Sequence, residues 1–279
     1  PPNGQGITAL LALNVLEGFD LAAMEYGSAA YYHLLIEATK QAFADRNRYV
    51  ADPACATVPV QGLLSKAYAT ARRREIVIDS ASDYAPGDPA PFGNTVYVSC
   101  VDRERNVVSL IHSVFSGFGS GVVAGDTGIC LQNRGTGFVA QANHPNVLAP
   151  GKRPFHTIIP AMILRDGQPW LCYGIMGADM QAQGHVQVAL NMIDFDMNVQ
   201  EALEAPRYRI LGGRVVALER AIPHEVRHKL EAMGHEPLPY GAIPPGTPYG
   251  GGQAILIDHA HGVLQGGSDP RKDGCALGY

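Results

Sequence analysis

No apolar stretch in this chain approaches the twenty or so residues that a bilayer-spanning helix needs, so no membrane span is expected. No signal peptide opens it either, but the sequence starts at Pro1-Pro2 without an initiator Met and reads as the interior of a longer protein. A basic stripe is missing as well: 21 Lys and Arg stand against 26 Asp and Glu, for a net charge of −5. That balance argues against a nucleic-acid partner. The one basic run, Arg72-Arg73-Arg74 after Lys66, reads as a solvated helix face. Cysteine is sparse. The five residues Cys55, Cys100, Cys130, Cys172 and Cys275 are odd in number and show no CxxC spacing. Cys100, Cys130 and Cys172 lie in apolar runs and are expected in the core as free thiols. This favours a reducing, cytoplasmic compartment, with the periplasm as the alternative.

What is present fits a globular chain with a sizeable core: 46% hydrophobic and 17% charged residues over 279 positions. Apolar spacing predicts helices over 7–16, over 28–49 with Ser28 as N-cap, and over 66–74. From Asp79 to Gly93 the composition turns to Asp, Ser, Pro, Gly and Ala, an exposed connector. The period then changes. Strands are expected over 95–101 and 107–114, and over 157–164 and 170–175 around the Asp166-Gly167 turn. Helices follow over 181–193, 199–205 and 223–233, and strands over 253–258 and 263–265. Alternating blocks of helices and hairpins indicate an α+β fold with antiparallel sheets covered by helices.

Two glycine clusters invite a phosphate-binding reading and do not support it. Gly117-Phe118-Gly119-Ser120-Gly121 is followed by no Lys-Ser/Thr pair, and Gly250-Gly251-Gly252 completes no dinucleotide fingerprint. His259 and His261 beside Asp258 lack the further ligands a metal would need, so neither metal nor cofactor is assigned. Asn94-Thr95 is chemically more pointed. A Thr hydroxyl needs a base close by, and cutting the chain before it supplies one as the new α-amino group, with a pKa near ~8. The cut requires an exposed stretch before the Thr and a strand beginning at it. Residues 79–93 and 95–101 meet both conditions.

Several ordered motifs then carry a resemblance. Gly93-Asn94-Thr95, Ser99-Cys100-Val101-Asp102 and Asn106-Val107-Val108-Ser109 resemble the opening of the small subunit of γ-glutamyltranspeptidases. Phe118 to Gly125, Thr127-Gly128-Ile129, Pro150 to Pro154, Met176 to Asp179, Asn198 to Ala202, Gly267 to Arg271 and Gly278-Tyr279 continue it. Pro1-Pro2, Gly27-Ser28 and Ala44-Asp45-Arg46 resemble the end of the large subunit. The resemblance implies a four-layer αββα fold of the N-terminal-nucleophile hydrolases and autocatalytic cleavage between Asn94 and Thr95. Residues 1–94 would be the C-terminal, mainly helical part of the large subunit ending in a processing linker. Residues 95–279 would be the small subunit. Thr95 would be the nucleophile passing through an acyl-enzyme, Ser113 the assisting hydroxyl, and Gly177 and Ala178 the oxyanion-hole pair.

Departures from the family pattern point to a different substrate. The Asp that captures the α-ammonium of a γ-glutamyl group is Gly137 here, and the neighbouring Gln is Arg134. An Asn two residues past the assisting hydroxyl is Phe115, and the Ser-Ser pair that grips the α-carboxylate is His156-Thr157. Losing a carboxylate and gaining a guanidinium favours an anionic acyl group without an amine. Arg134 could instead serve in a structural ion pair with Asp126 or Asp179, and His156 in the core. Asn133-Arg134-Gly135, Pro154 to Pro160 and Gly177 to Gln181 resemble the branch that includes oxamate amidohydrolase. The expected activity is therefore autoprocessing hydrolysis of a small amide with an oxamate-like or glutaryl-like acyl part. The alternatives are a γ-glutamyltransferase or glutathione hydrolase, and a catalytically silent scaffold. The expected partners are that small-molecule amide and the rest of the large subunit; homo-oligomerisation is left open.

Overall fold

The computed structural model describes residues 3–84, 94–240, 242 and 249–278. Pro1-Pro2, the linker residues 85–93 and Tyr279, all used above, lie outside that set. The chain opens with helices α1 (Gly6–Leu16), α2 (Ala29–Tyr49), α3 (Val60–Leu63) and α4 (Lys66–Arg73). Ser28 caps α2 by accepting the Tyr31 amide, and Ser65 does the same for α4 at Tyr68. Strands β1 (Asn94–Val101), β2 (Val107–Phe115), β3 (Ala161–Arg165) and β4 (Gln168–Met176) follow. Then come α5 (Met180–Ile193), α6 (Val199–Glu204), β5 (Tyr208–Gly212), β6 (Val215–Leu218), α7 (His224–Ala232), β7 (Glu236–Pro237), β8 (Gly251–Asp258) and β9 (Val263–Ser268). Asn198 and Glu201 close a full capping box at α6.

The chain forms two compact units, each from separate stretches. The first uses the described parts of Pro1–Ala90, Gly135–Thr157 and Pro206–Pro245. Its centre is α2, which packs against α1, α7 and β5 and is buried almost all round. The spacing of its apolar residues indicates one buried face. The structure also buries His33, Glu37, Lys40, Gln41, Asp45 and Arg46, each with polar partners. The basic run on α4 is not a solvated face. Arg72 pairs with Asp45 at 3.3 Å and Glu75 at 2.7 Å, and Arg73 donates to the carbonyls of Asn14 and Val15; Arg74 alone is exposed. The sequence pattern does not show strands β5, β6 and β7, and β6–β7 is a parallel ladder, whereas the other ladders among the described residues are antiparallel.

The second unit comes from the described parts of Pro91–Arg134, Ile158–Ala205 and Gly246–Tyr279. A two-stranded sheet, β1–β2, lies against a four-stranded antiparallel sheet in the order β3-β4-β8-β9. Helices α5 and α6 pack on that larger sheet, around a core of Leu171, Tyr173, Ile175, Val188, Leu203 and Ala254. Residues 157–160, expected to begin a strand, precede β3 as irregular chain. Alternation sets which side of β1 is used. Tyr97 and Ile111 point into the interlayer core with Met176, whereas Val96, Val98, Cys100, Val108 and Leu110 face outward. Cys100 is thus exposed rather than a core thiol, Cys130 is half-buried, and Cys172 alone of the three is buried. The division at residues 94 and 95 concerns a cut in the chain, which contacts within these units do not test.

Candidate active site

Thr95 shares the inward side of β1 with Tyr97, because residues two apart point the same way. Opposite it the ladder is irregular. Asn94 pairs with Phe115 and Val96 with His112, so two steps on β1 face three on β2, and Ser113 and Val114 together oppose Thr95. Such a bulge re-aims side chains. Here the Thr95 hydroxyl lies 3.4 Å from the Ser113 hydroxyl, which also accepts the Phe115 amide at 2.9 Å. Phe115 is buried with φ +82°, a conformation strained for an aromatic residue.

The chain turns back on itself after β2. Asn133 closes the excursion from residue 116 by accepting the Ser116 amide at 3.0 Å and donating to the Ser116 carbonyl at 3.2 Å. Its own amide donates to the Val114 carbonyl at 3.1 Å. Arg134 is consequently set beside Phe115, with its guanidinium 5.2 Å from the ring centroid. It is 4% exposed, and burial lowers its pKa to about 10, so it keeps its charge at neutral pH.

Gly177 and Ala178 link β4 to α5, both with positive φ, +113° and +53°. Gly177 has to be glycine. A Cβ there would come within 3.1 Å of Gly250 Cα and 3.2 Å of Met180 Cβ. The bland glycine run at 250–252 thus has a packing reason that no spacing rule shows. The packing of β1 on β4 sets where this turn lies. The Tyr97 hydroxyl is 3.6 Å from Cys172 Sγ, the Tyr97 ring covers Gly174, and Tyr97 joins Met176 in one cluster. Farther from Thr95, Val108, which pairs with Cys100, accepts from Cys172 at 3.5 Å. The strands therefore run in opposite senses, and Thr95 and the Gly177-Ala178 turn lie toward the same edge. Thr95, Ser113, Phe115 and Arg134 are brought together directly.

Gly137, His156 and Thr157 belong to the first unit. A Cβ on Gly137 would stand 3.2 Å from the Phe155 carbonyl oxygen. His156 bridges to Gly4, its amide donating to Asn3 and its carbonyl accepting from Gln5. The Thr157 carbonyl accepts the Gln5 side-chain amide at 2.7 Å. His259 and His261 sit at an exposed turn, where Asp258 accepts from His261 at 2.7 Å.

Among the described residues, His33, Glu37 and His235 bring three potential metal-ligand atoms within 4.8 Å of one another. No motif marks this cluster, since 202 positions separate the two histidines. Their 2.8 Å contact is a hydrogen bond, and Lys40 already holds the Glu37 carboxylate at 2.7 Å. Burial first, and then neighbours that include Lys40 and Arg214, depress His235, and those two cations oppose a further cation.

Comparison with known proteins agrees across the whole chain. A family model for gamma-glutamyltranspeptidase matches residues 1–279. The chain is 42% identical over 284 residues to the glutathione hydrolase-like YwrD proenzyme of Bacillus subtilis, covering 100% of this chain and 53% of that protein. It is 36% identical over 298 residues to the oxamate amidohydrolase proenzyme of Klebsiella pneumoniae, covering 100% and 52%. A crystal structure of cephalosporin acylase from Bacillus halodurans superposes with a TM-score of 0.90 at 44% identity, covering 100% of this chain and 51% of that one. The chain thus spans about half the length of the curated relatives it matches.

Proposed function

The chain belongs to the γ-glutamyltranspeptidase family of N-terminal-nucleophile hydrolases, with their α+β fold, and from that premise we propose that its precursor cuts itself between Asn94 and Thr95. The observation that carries this reading is the paired hydroxyls of Thr95 and Ser113 at a β-bulge, on the edge toward which the Gly177-Ala178 turn lies. The chain here would supply the small subunit and the end of the large one. In the first step the Thr95 hydroxyl attacks the Asn94 carbonyl, and hydrolysis of the resulting ester leaves Thr95 with a free α-amino group. That amine then takes the hydroxyl proton as Thr95 attacks a substrate amide. The backbone of Gly177 and Ala178 receives the developing oxyanion, and water releases the acyl group.

The acyl part of the substrate is read from Arg134 and Gly137. Arg134 supplies a buried positive charge beside Phe115, and Gly137 supplies no carboxylate for an ammonium. This favours an amine-free anionic acyl group, oxamyl-like or glutaryl-like. The glutathione hydrolase-like name of the Bacillus relative favours the γ-glutamyl alternative. Comparing kcat/KM for a glutaryl and a γ-glutamyl anilide separates the two. The glutaryl substrate should win, and Arg134→Gln should cost it about ten- to a hundredfold, the range of one charge-assisted hydrogen bond. A wide preference for the γ-glutamyl donor would refute the anionic reading.

A further inference from the structure

One face of α2 carries a buried polar cluster for which the amide chemistry has no use. His33, Glu37 and Lys40 follow one another at helical spacings of four and three. Each is buried, including an ion pair of 2.7 Å between Lys40 and Glu37. Charges so far from water are costly unless their geometry serves something. Their remaining contacts share one target. His33 Nε2 donates to the Val77 carbonyl at 2.8 Å, because a carbonyl can only accept. In the neutral pair, His33 Nδ1 is left to accept from His235 Nε2. The Ser82 amide donates to Glu37 at 3.0 Å, and Lys40 donates to the Ser82 carbonyl. The Lys40 ammonium also lies 5.5 Å from the centroid of the Tyr84 ring. Two contacts from outside α2 hold the same stretch: the Ala81 amide donates to the Met233 carbonyl, and Arg214 pairs with Asp83 at 3.0 Å.

We propose that His33, Glu37 and Lys40 form a positioning clamp for residues 77–84, the chain that leads into the cleavage site, and so set the geometry in which the Asn94–Thr95 bond is cut. This rests on the self-cleavage reading above. With the clamp closed, ten residues (85–94) separate the last held position from Thr95; with it open, Ala81 on the Met233 carbonyl is the last position held by a buried contact, and thirteen (82–94) do. Closure probability falls as roughly the three-halves power of length, so an open clamp should slow cleavage about 1.5-fold.

The test uses the full-length precursor with Glu37→Met and Lys40→Met combined, since apolar replacement of a buried ion pair generally leaves a fold intact. In a Thr95→Ala background, which keeps the chain whole, exchange of the Ser82 amide should rise roughly ten- to a hundredfold, the loss of a hydrogen bond to a charged group. With Thr95 present, cleavage after synthesis should slow about 1.5-fold, while kcat of the matured enzyme stays unchanged; a purely structural role would not split the two. Ser82→Pro removes the amide donor without touching α2 and should slow cleavage equally. The clamp is refuted if Ser82 stays protected in the double variant, or if cleavage keeps its parent rate after protection is lost. Failure of the parent precursor to cleave would instead remove the self-cleavage reading, and the two failures are told apart by the parent alone.

Discussion

Replacing Ser113 by Ala removes one oxygen that does two things at once. It accepts the Phe115 amide at 2.9 Å and stands 3.4 Å from the Thr95 hydroxyl. The first loss leaves a donor unsatisfied in a part-buried place, at a cost of about 1–3 kcal/mol. It also frees Phe115 from the contact that helps hold φ at +82°, a strain of order 1–3 kcal/mol that can then relax. Relaxation partly offsets the lost bond, so the net loss of stability should be about 1 kcal/mol, read from the denaturant midpoint at constant m-value. Activity should suffer more. The nucleophile loses its hydroxyl neighbour, and movement of Phe115 shifts the ring under Arg134. Together these should lower kcat by about ten- to a hundredfold, or ~1.4–2.7 kcal/mol of transition-state stabilisation. Ser113→Thr keeps the oxygen and should recover most of both. If Ser113→Ala cleaves itself and turns over within twofold of the parent, the hydroxyl pair does not constitute the site.

Gly177→Ala should abolish turnover and lower stability, because its Cβ would press on Gly250 and Met180. Ala178→Gly, at φ +53°, should keep kcat within a few fold in the same assay. Gly137→Asp should move preference toward γ-glutamyl donors only as far as the Phe155 carbonyl, 3.2 Å from the new Cβ, can give way; no change in the ratio of kcat/KM values would exclude Gly137 from the acyl pocket. Burial, then the neighbouring His33, Lys40 and Arg214, lower His235 from 6.5 to about 3. A depressed histidine contributes its full stability above pH 6.5 and loses it on acidification toward pH 3. Stability at pH 5 should therefore be about 2 kcal/mol below that at pH 8 from this residue, a slope that His235→Gln should flatten.

Local chemistry made much of this legible from sequence. Ser28 before an apolar helix, Asp166-Gly167 between two β-rich runs, and Asn198 three residues before Glu201 each act through their nearest neighbours. A connector followed by a strand suits Thr95 for cleavage, but many threonines open strands after loops, and the ordered family motifs are what single it out. Ser113 and Arg134 followed from motif resemblance, but their relation to Thr95 depends on a bulge and on the Asn133–Ser116 closure, which no periodicity shows. The parallel β6–β7 ladder was missed because β7 is two residues long and contains Pro237. Cys100 departs from expectation for a different reason: its apolar run predicts core, yet β1 buries one side only. The cluster on α2 was invisible because its partners at 77–84 and 235 are distant in sequence.

On the proposed mechanism, Thr95 becomes a new N-terminus and then acts as the nucleophile. Intact-mass measurement of the purified full-length protein tests it most directly, alongside Thr95→Ala. Two fragments are expected, the smaller beginning at Thr95 and carrying a mass increment when a glutaryl amide is trapped by rapid acid quench. Thr95→Ala should give one uncut chain with no increment. A single intact mass for the parent, or a cut and an acyl adduct that persist in Thr95→Ala, would contradict it.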